Sequence, residues 1–242
     1  MTREKQVRAL TDWIHDKVRG AGCRGVVLGM SGGIDSSLLA VLCKKAFPRN
    51  TLGLIMPCYS VDEDKDHAEM VARQFEISTK TVVLNAVFDS LIYVLPDSKP
   101  HADTARLARA NLKARLRMVT LYYVANQMKY LVAGAGNRSE LAIGYFTKYG
   151  DGAADILPLG NMVKKEVREL AVFLRIPREI IDKVPSAGLW PGQTDEDEMG
   201  FSYETLDRYL MTGTAPEETQ SRIEYLKAAS QHKKTTPPIP DF

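Results

Sequence analysis

Two stretches of the chain concentrate residue types that suit ligand sites, the first of them a site for phosphate. The first is Gly29-Met30-Ser31-Gly32-Gly33-Ile34-Asp35-Ser36. Glycines let backbone N–H groups approach a ligand closely, Ser31 and Ser36 add hydroxyl donors, and a helix starting here adds the partial positive charge of its N-terminus. Together these make an anion cradle. The string is neither the GxxxxGK[ST] of a Walker A loop nor the GxGxxG of a dinucleotide fold. Asp35 is its odd member. A carboxylate beside phosphates repels them unless a cation lies between, so Asp35 points to Mg²⁺. The second stretch is Gly134-Ala135-Gly136-Asn137-Arg138-Ser139-Glu140, followed by Gly144-Tyr145-Phe146-Thr147-Lys148-Tyr149-Gly150-Asp151-Gly152 and then Asp155. Its glycines, lysine and carboxylates suit a ligand site, and they equally suit a solvated surface loop.

Regular elements must hold these stretches. Val7, Leu10, Ile14 and Val18 recur at helical spacing over residues 2–19, ending at Gly20. Short apolar runs at 25–30, 51–57, 80–85 and 130–136 read as strands. Between them, 37–47 reads as helix up to Pro48, 62–75 as helix with an acidic first turn, and 104–129 as one long helix or two. Beyond the fourth strand, 163–174 is amphipathic and is stopped by Pro177. Helices are expected near 202–211 and 216–231, and the tail TTPPIPDF cannot be regular. Alternating strand and helix implies an α/β fold with a mainly parallel sheet, here as one domain over residues 1–242 with a helical C-terminal part. In such sheets ligands sit at the carboxyl ends of strands, where both stretches lie.

Composition narrows the function class. With 242 residues, 45% hydrophobic and 26% charged, the chain suits a globular domain and not a disordered or fibrous one. Its net charge of +2 offers no global attraction for nucleic acid or an anionic membrane. Cys23, Cys43 and Cys58 are odd in number and contain no CxxC pair, so neither a disulfide framework nor a zinc site is indicated. Without an apolar signal segment or a run near the ~20 apolar residues of a membrane span, a cytoplasmic protein is expected. The Asn137-Arg138-Ser139 sequon then has no meaning as a glycosylation site.

The string SGGIDSS resembles the SGGxDS loop of the N-type ATP pyrophosphatases, which cleave ATP between the α and β phosphates and adenylate a substrate. Within that superfamily GYFTKYGDGAAD at 144–155 resembles the NAD synthetase signature. NLKARLRM at 111–118, KVPSAGLWPGQTDEDEMG at 183–200 and HKK at 232–234 resemble further segments of the same family, in the same order. The chain is identified by this likeness with the short, ammonia-dependent NAD synthetases.

The resemblance implies an open doubly wound sheet of the adenine nucleotide alpha-hydrolase kind. It also implies the amidation of deamido-NAD⁺ to NAD⁺, with ATP as co-substrate and Mg²⁺ as cofactor. Carried over residue by residue, Gly29, Met30, Ser31, Gly32, Gly33, Ile34, Asp35, Ser36, Ala135, Lys164 and Ser186 bind ATP. Asp35 and Glu140 hold the metal. Arg115, Lys148, Asp155, His232 and Lys233 bind deamido-NAD⁺. Asp35, Lys148 and Lys164 carry the catalysis. The family usually has Thr at the position of Ala135, and losing one neutral hydrogen bond there costs about 0.5–1.5 kcal/mol. The family also implies a symmetric homodimer with deamido-NAD⁺ across the interface, for which 104–129 is a candidate element. Free ammonia is the expected nitrogen donor, since no cysteine has the setting of an amidase nucleophile. Two rival readings remain: a tRNA-modifying adenylating enzyme of the same superfamily, which would want catalytic cysteines or a basic patch, and a non-catalytic nucleotide-binding protein.

Overall fold

The computed structural model describes residues 1–96, 101–186, 188, 190 and 192–240. Four strands, β1 (Gly25–Gly29), β2 (Thr51–Ile55), β3 (Ser78–Thr81) and β4 (Tyr130–Val132), form one sheet in the order β3-β2-β1-β4, with every pairing parallel. Helix α1 (Arg3–Gly20) precedes the sheet, α2 (Ile34–Ala46) links β1 to β2, and α3 (Asp62–Gln74) links β2 to β3. The long crossover from β3 to β4 holds α4 (Asn85–Val94) and α5 (Ala102–Met128). After β4 come α6 (Arg138–Ile143), α7 (Lys164–Phe173), α8 (Arg178–Ile181), α9 (Asp195–Met199), α10 (Tyr203–Thr212), α11 (Glu217–Ala229) and α12 (Gln231–Lys234).

The side-chain period of two in β1 sorts the core. Val26 and Leu28 join Ile14, Leu38, Leu42, Val71 and Leu170 on one face, which α1, α2, α3 and α7 cover. Val27 joins Leu54, Phe88 and Ala125 on the other, under α4 and α5. Helices therefore cover both faces, as a doubly wound sheet requires. A third cluster of Ile143, Met199, Tyr203, Leu206 and Ile223 binds α6 to α9, α10 and α11, and this is the helical C-terminal part. Successive strands are added outward from β1 through β2 to β3, and the order then switches to β4 on the other side of β1. The carboxyl ends of β1 and β4 thus flank the topological switch point of the sheet.

Several expected boundaries move. The third strand is Ser78–Thr81, not residues 80–85: four exposed polar residues pair with β2, and Leu84 turns away into the second core cluster. The fourth strand stops at Val132, continued only by a bridge between Ala133 and Ile156. Residues 102–128 form one helix, ended by Lys129 in the left-handed conformation at φ 56°. Helices α4 and α6 occupy segments for which the sequence pattern gives no helix.

Candidate active site

The glycine loop forms as expected, and its parts divide the work. Gly29 ends β1, Met30 and Ile34 turn into the core, and Gly33 caps α2, so Ile34, Asp35 and Ser36 already lie in that helix's first turn. Gly32 has φ +78°, and a Cβ there would sit 2.1 Å from the Asp64 carbonyl oxygen, so only glycine fits the turn. Ser31 and Ser36 fix the loop from within. Their hydroxyls lie 3.0 Å apart, the Gly33 N–H donates to Ser31 Oγ at 3.3 Å, and Ser36 Oγ donates to the Gly33 carbonyl at 3.0 Å.

Asp35 projects from this turn toward the end of β4. Its Oδ2 lies 2.5 Å from Lys164 Nζ, and Glu140 Oε1 lies 3.6 Å from the same ammonium. Lys164 is buried, and its Nζ also sits 4.9 Å from the centre of the Tyr203 ring. Burial alone would push this lysine's pKa down. Asp35 first, and then Glu140, outweigh that and hold it above the ordinary lysine range. Glu140 moves the opposite way from an ordinary carboxylate. Burial first and the Asp35 charge second push it up to about 8, against the pull of Lys164 and of the Asn137 N–H. Two carboxylates thus share one cation at the mouth of the phosphate loop.

Asn137, fully buried, joins the two acids. Its Nδ2 donates to Asp35 Oδ1 at 2.9 Å, its Oδ1 accepts from the Glu140 N–H at 3.0 Å, and its own N–H donates to Glu140 Oε2 at 3.1 Å. The last two bonds are a capping box at the start of α6. Nothing in the sequence analysis assigned Asn137 a role, yet the Asn-x-x-Glu spacing is itself the signature of that box. Behind the cluster, Asp195 accepts from Tyr203 Oη at 2.9 Å and from Tyr145 Oη at 3.1 Å, and burial pushes its carboxyl up. Tyr145 and Asp195 lie within stretches the sequence singles out but without a role of their own, and Tyr203 lies outside them, because the pairing of Tyr145 with Asp195 joins segments 50 positions apart.

A second group gathers around the 144–152 loop. Arg115 donates to the Lys148 carbonyl through Nε at 3.4 Å and Nη2 at 3.3 Å, and Lys148 Nζ donates to the His232 carbonyl. Arg115, Lys148 and His232, expected together, are together. Lys233 is adjacent, but its ammonium donates to the carbonyls of Gly144 at 2.9 Å and Phe146 at 3.0 Å, so here it holds the loop. Gly144 has φ +70°, and a Cβ there would meet Ser230 Cβ at 2.1 Å, which seats the loop against the end of α11. Asp155 is on the β4 side, where Oδ2 accepts the Val132 N–H at 2.8 Å and Oδ1 accepts from Tyr122 Oη at 3.2 Å. Ala135 is half-buried against the first core cluster. Ser186 is exposed, with Oγ accepting the Gly188 N–H at 3.1 Å; Ala187, Leu189 and Pro191 of the same segment lie outside the described residues. Cys58 is buried in the second core cluster, which suits packing and not the catalytic cysteine that a tRNA-modifying rival would want.

A profile of the NAD synthase family matches residues 6–237. The NH(3)-dependent NAD(+) synthetase of Carboxydothermus hydrogenoformans is 48% identical over 237 residues, covering 98% of this chain and 97% of that protein. Among solved structures, the NMN synthetase of Francisella tularensis superposes with a TM-score of 0.93 at 35% identity, covering 100% of both chains. The NH3-dependent NAD synthetase of Campylobacter jejuni superposes with a TM-score of 0.81 at 30% identity, also covering 100% of both chains.

Proposed function

The chain belongs to the NAD synthase family, and we propose that the carboxyl ends of β1 and β4 are its reaction centre. The protein is a ligase: it amidates deamido-NAD⁺ to NAD⁺ with ammonia and ATP, the final step of NAD⁺ biosynthesis. The observation that carries the site assignment is the Lys164 ammonium held between Asp35 and Glu140 at the end of an anion-binding turn.

The reaction needs two displacements. The nicotinate carboxylate forms an O–P bond to the ATP α-phosphorus as the α–β P–O bond breaks and diphosphate leaves. Ammonia then forms a C–N bond at the acyl carbon of the adenylate, the C–O bond breaks, AMP leaves, and the nitrogen sheds a proton. An anion must approach a polyanion, so charge neutralisation and positioning dominate the barrier. The N–H groups and hydroxyls of residues 29–36 cradle the phosphates of ATP, and Lys164 meets the charge that builds on them. Ala135 and Ser186 border this pocket. Arg115, Lys148 and His232 receive deamido-NAD⁺, Lys233 keeps their loop in place, and Asp155 bounds the pocket on the β4 side.

Asp35 and Glu140 suit Mg²⁺. Their oxygens already converge on one cation, and Mg²⁺ takes one or two carboxylates and completes its shell with phosphate oxygens and water. When bound, the ion would neutralise phosphate charge beside Lys164. Among the described residues no group of three or more His, Cys, Asp or Glu side chains converges as a metal site, here or elsewhere, so phosphate oxygens and water would have to supply the remaining ligands.

A homodimer is supported by an apolar face on the α4–α5 side, where Val87, Tyr93 and Val94 of α4 and Leu107, Val119 and Tyr123 of α5 are exposed. Among the described residues no helix is long and apolar enough to cross a membrane, and we place the protein in the cytoplasm.

A second reading is favoured by the Francisella structure alone: the acceptor is the mononucleotide, since only the nicotinate end reacts. One assay separates the readings. The chain is incubated with ATP, Mg²⁺ and ammonium chloride and with either deamido-NAD⁺ or nicotinate mononucleotide, and pyridine product and diphosphate are measured. Higher kcat/KM with deamido-NAD⁺ is expected, whereas higher kcat/KM with the mononucleotide selects the second reading. Absence of diphosphate with either acceptor overturns both. Glutamine freed of ammonia replaces ammonium in a parallel arm and is expected to give no amide.

A further inference from the structure

Helix α7 begins with half a cap. Glu166 Oε2 accepts the Val163 N–H at 3.0 Å, but Val163, the N-cap residue, has no side-chain acceptor to offer in return, so the N–H groups of Lys164 and Lys165 need partners from elsewhere. They find them in two other helices. The Lys164 N–H donates to Ser139 Oγ at 3.1 Å, and the Lys165 N–H donates to Asp207 Oδ2 at 2.7 Å. Ser139 Oγ in turn donates to Asp207 Oδ1 at 2.5 Å. Asp207 is 3% exposed and projects from α10, where its neighbour Leu206 is part of the third core cluster. The Arg138 N–H also donates to the Met162 carbonyl at 2.8 Å, so the starts of α6 and α7 abut directly. One carboxylate therefore lies at the joint of two helix N-termini, where the backbone dipoles favour negative charge.

What those N-termini carry gives the joint its meaning. Glu140 follows Ser139 by one residue, and Lys164 precedes Lys165 by one. We propose that Asp207 is a positioning residue of the reaction centre: it locks α6 to α7 and so sets where Glu140 and Lys164 stand relative to Asp35. Asp207 touches none of the three reacting groups, lies outside both motif stretches, and acts only through Ser139 and two backbone N–H groups. The inference rests on the assignment of Glu140 and Lys164 to the reaction centre made above.

The test is Asp207→Asn, which keeps side-chain shape but puts an amide donor where one of the two acceptors was, beside Ser139→Ala, which removes the link to Lys164 and leaves the Asp207–Lys165 bond. Diphosphate release with ATP, Mg²⁺ and deamido-NAD⁺ gives kcat and both KM values, and thermal unfolding gives the folded fraction. For D207N, kcat per folded molecule is expected to fall about ten- to a hundredfold, the range for sub-ångström to ångström misplacement, with both KM values within about twofold. S139A should lose less in the same parameter, and the double variant should lose less than the product of the two, because the residues act through one joint. Unchanged kcat in folded D207N, or a loss confined to KM, overturns the proposal. If D207N does not fold, S139A decides by the same criteria. The unsubstituted chain in the same assay tests the function itself, so its inactivity would be a separate failure.

Discussion

The side-chain amide of Asn137 spans the two acids of the centre: Nδ2 donates to Asp35 Oδ1 at 2.9 Å while Oδ1 accepts the Glu140 N–H at 3.0 Å. One buried residue thus serves a helix cap and the Asp35 carboxylate, and two substitutions separate these duties. Asn137→Ser keeps a good N-cap but cannot reach Asp35, so stability should be largely retained while diphosphate release falls. Asn137→Ala loses the cap as well, at a further cost of about 1 kcal/mol. Thermal unfolding and diphosphate release on both variants check this; equal activity in both, close to that of the unsubstituted chain, would free Asp35 from Asn137.

Asp35→Asn should cost both rate and stability. The change is nearly isosteric, but it leaves the buried Lys164 ammonium with Glu140 as its ion-pair partner at 3.6 Å, helped by the Tyr203 ring and the more distant Asp195. Stripping one partner from a buried ion pair costs about 3–5 kcal/mol where no other charge compensates, so a loss at or below the lower end is expected here. Adenylation should fall at least about tenfold, on the scale of one lost transition-state contact. Diphosphate release near the unsubstituted rate at saturating magnesium would remove Asp35 from the centre.

Lys148→Met should weaken deamido-NAD⁺ use more than ATP use. The Lys148 ammonium reaches the His232 carbonyl, and its own carbonyl accepts from Arg115, which places it in the second group and not beside Asp35. Steady-state kinetics with each substrate varied in turn should show the larger KM change for the dinucleotide. A loss confined to ATP would place the residue in the wrong pocket.

The nucleophile is NH₃ and not NH₄⁺. At subsaturating total ammonium, turnover should therefore rise as pH climbs toward the ammonium pKa. The raised pKa of Lys164 keeps its charge across that range, so the rise should not be cut short by loss of this cation. Rates at fixed total ammonium across pH, compared with rates at fixed free ammonia, test this; a profile that stays steep at fixed free ammonia would point to a protein group, first of all Glu140, whose carboxyl is pushed up to about 8 by burial and the Asp35 charge.

Residues that announce a site by type were legible, and residues that support it from a distance were not. Asp35 and the 134–140 stretch converge because the ends of β1 and β4 do, and a parallel sheet dictates that from connectivity alone, whereas Lys164, the first residue of α7, was named only through the family resemblance. Asn137 was hidden in plain view, its Asn-x-x-Glu spacing overlooked beside an irrelevant sequon. Asp207 and Asp195 carry no local signature, since their partners are 42 to 68 and 8 to 50 positions away. The third strand was misplaced for a physical reason too. Ser78–Thr81 shows no apolar alternation, and it is a strand because β2 offers it backbone partners, while the apolar residues after it serve the core beneath α4.

That polar strand has a bearing on how copies of the protein meet. An open sheet has two margins, and each exposes backbone groups that another chain's strand could extend. Here β3 closes one margin with four exposed residues, Ser78, Thr79, Lys80 and Thr81, a short and hydrophilic edge with a charge in it. At the other margin residues 155–156 run beside β4, where the Asp155 N–H donates to the Val132 carbonyl and the Gly134 N–H donates back to the Ile156 carbonyl. Neither side invites strand addition. The proposed homodimer would then form through helix faces, and fibre-like growth by sheet extension would first require the fold to open.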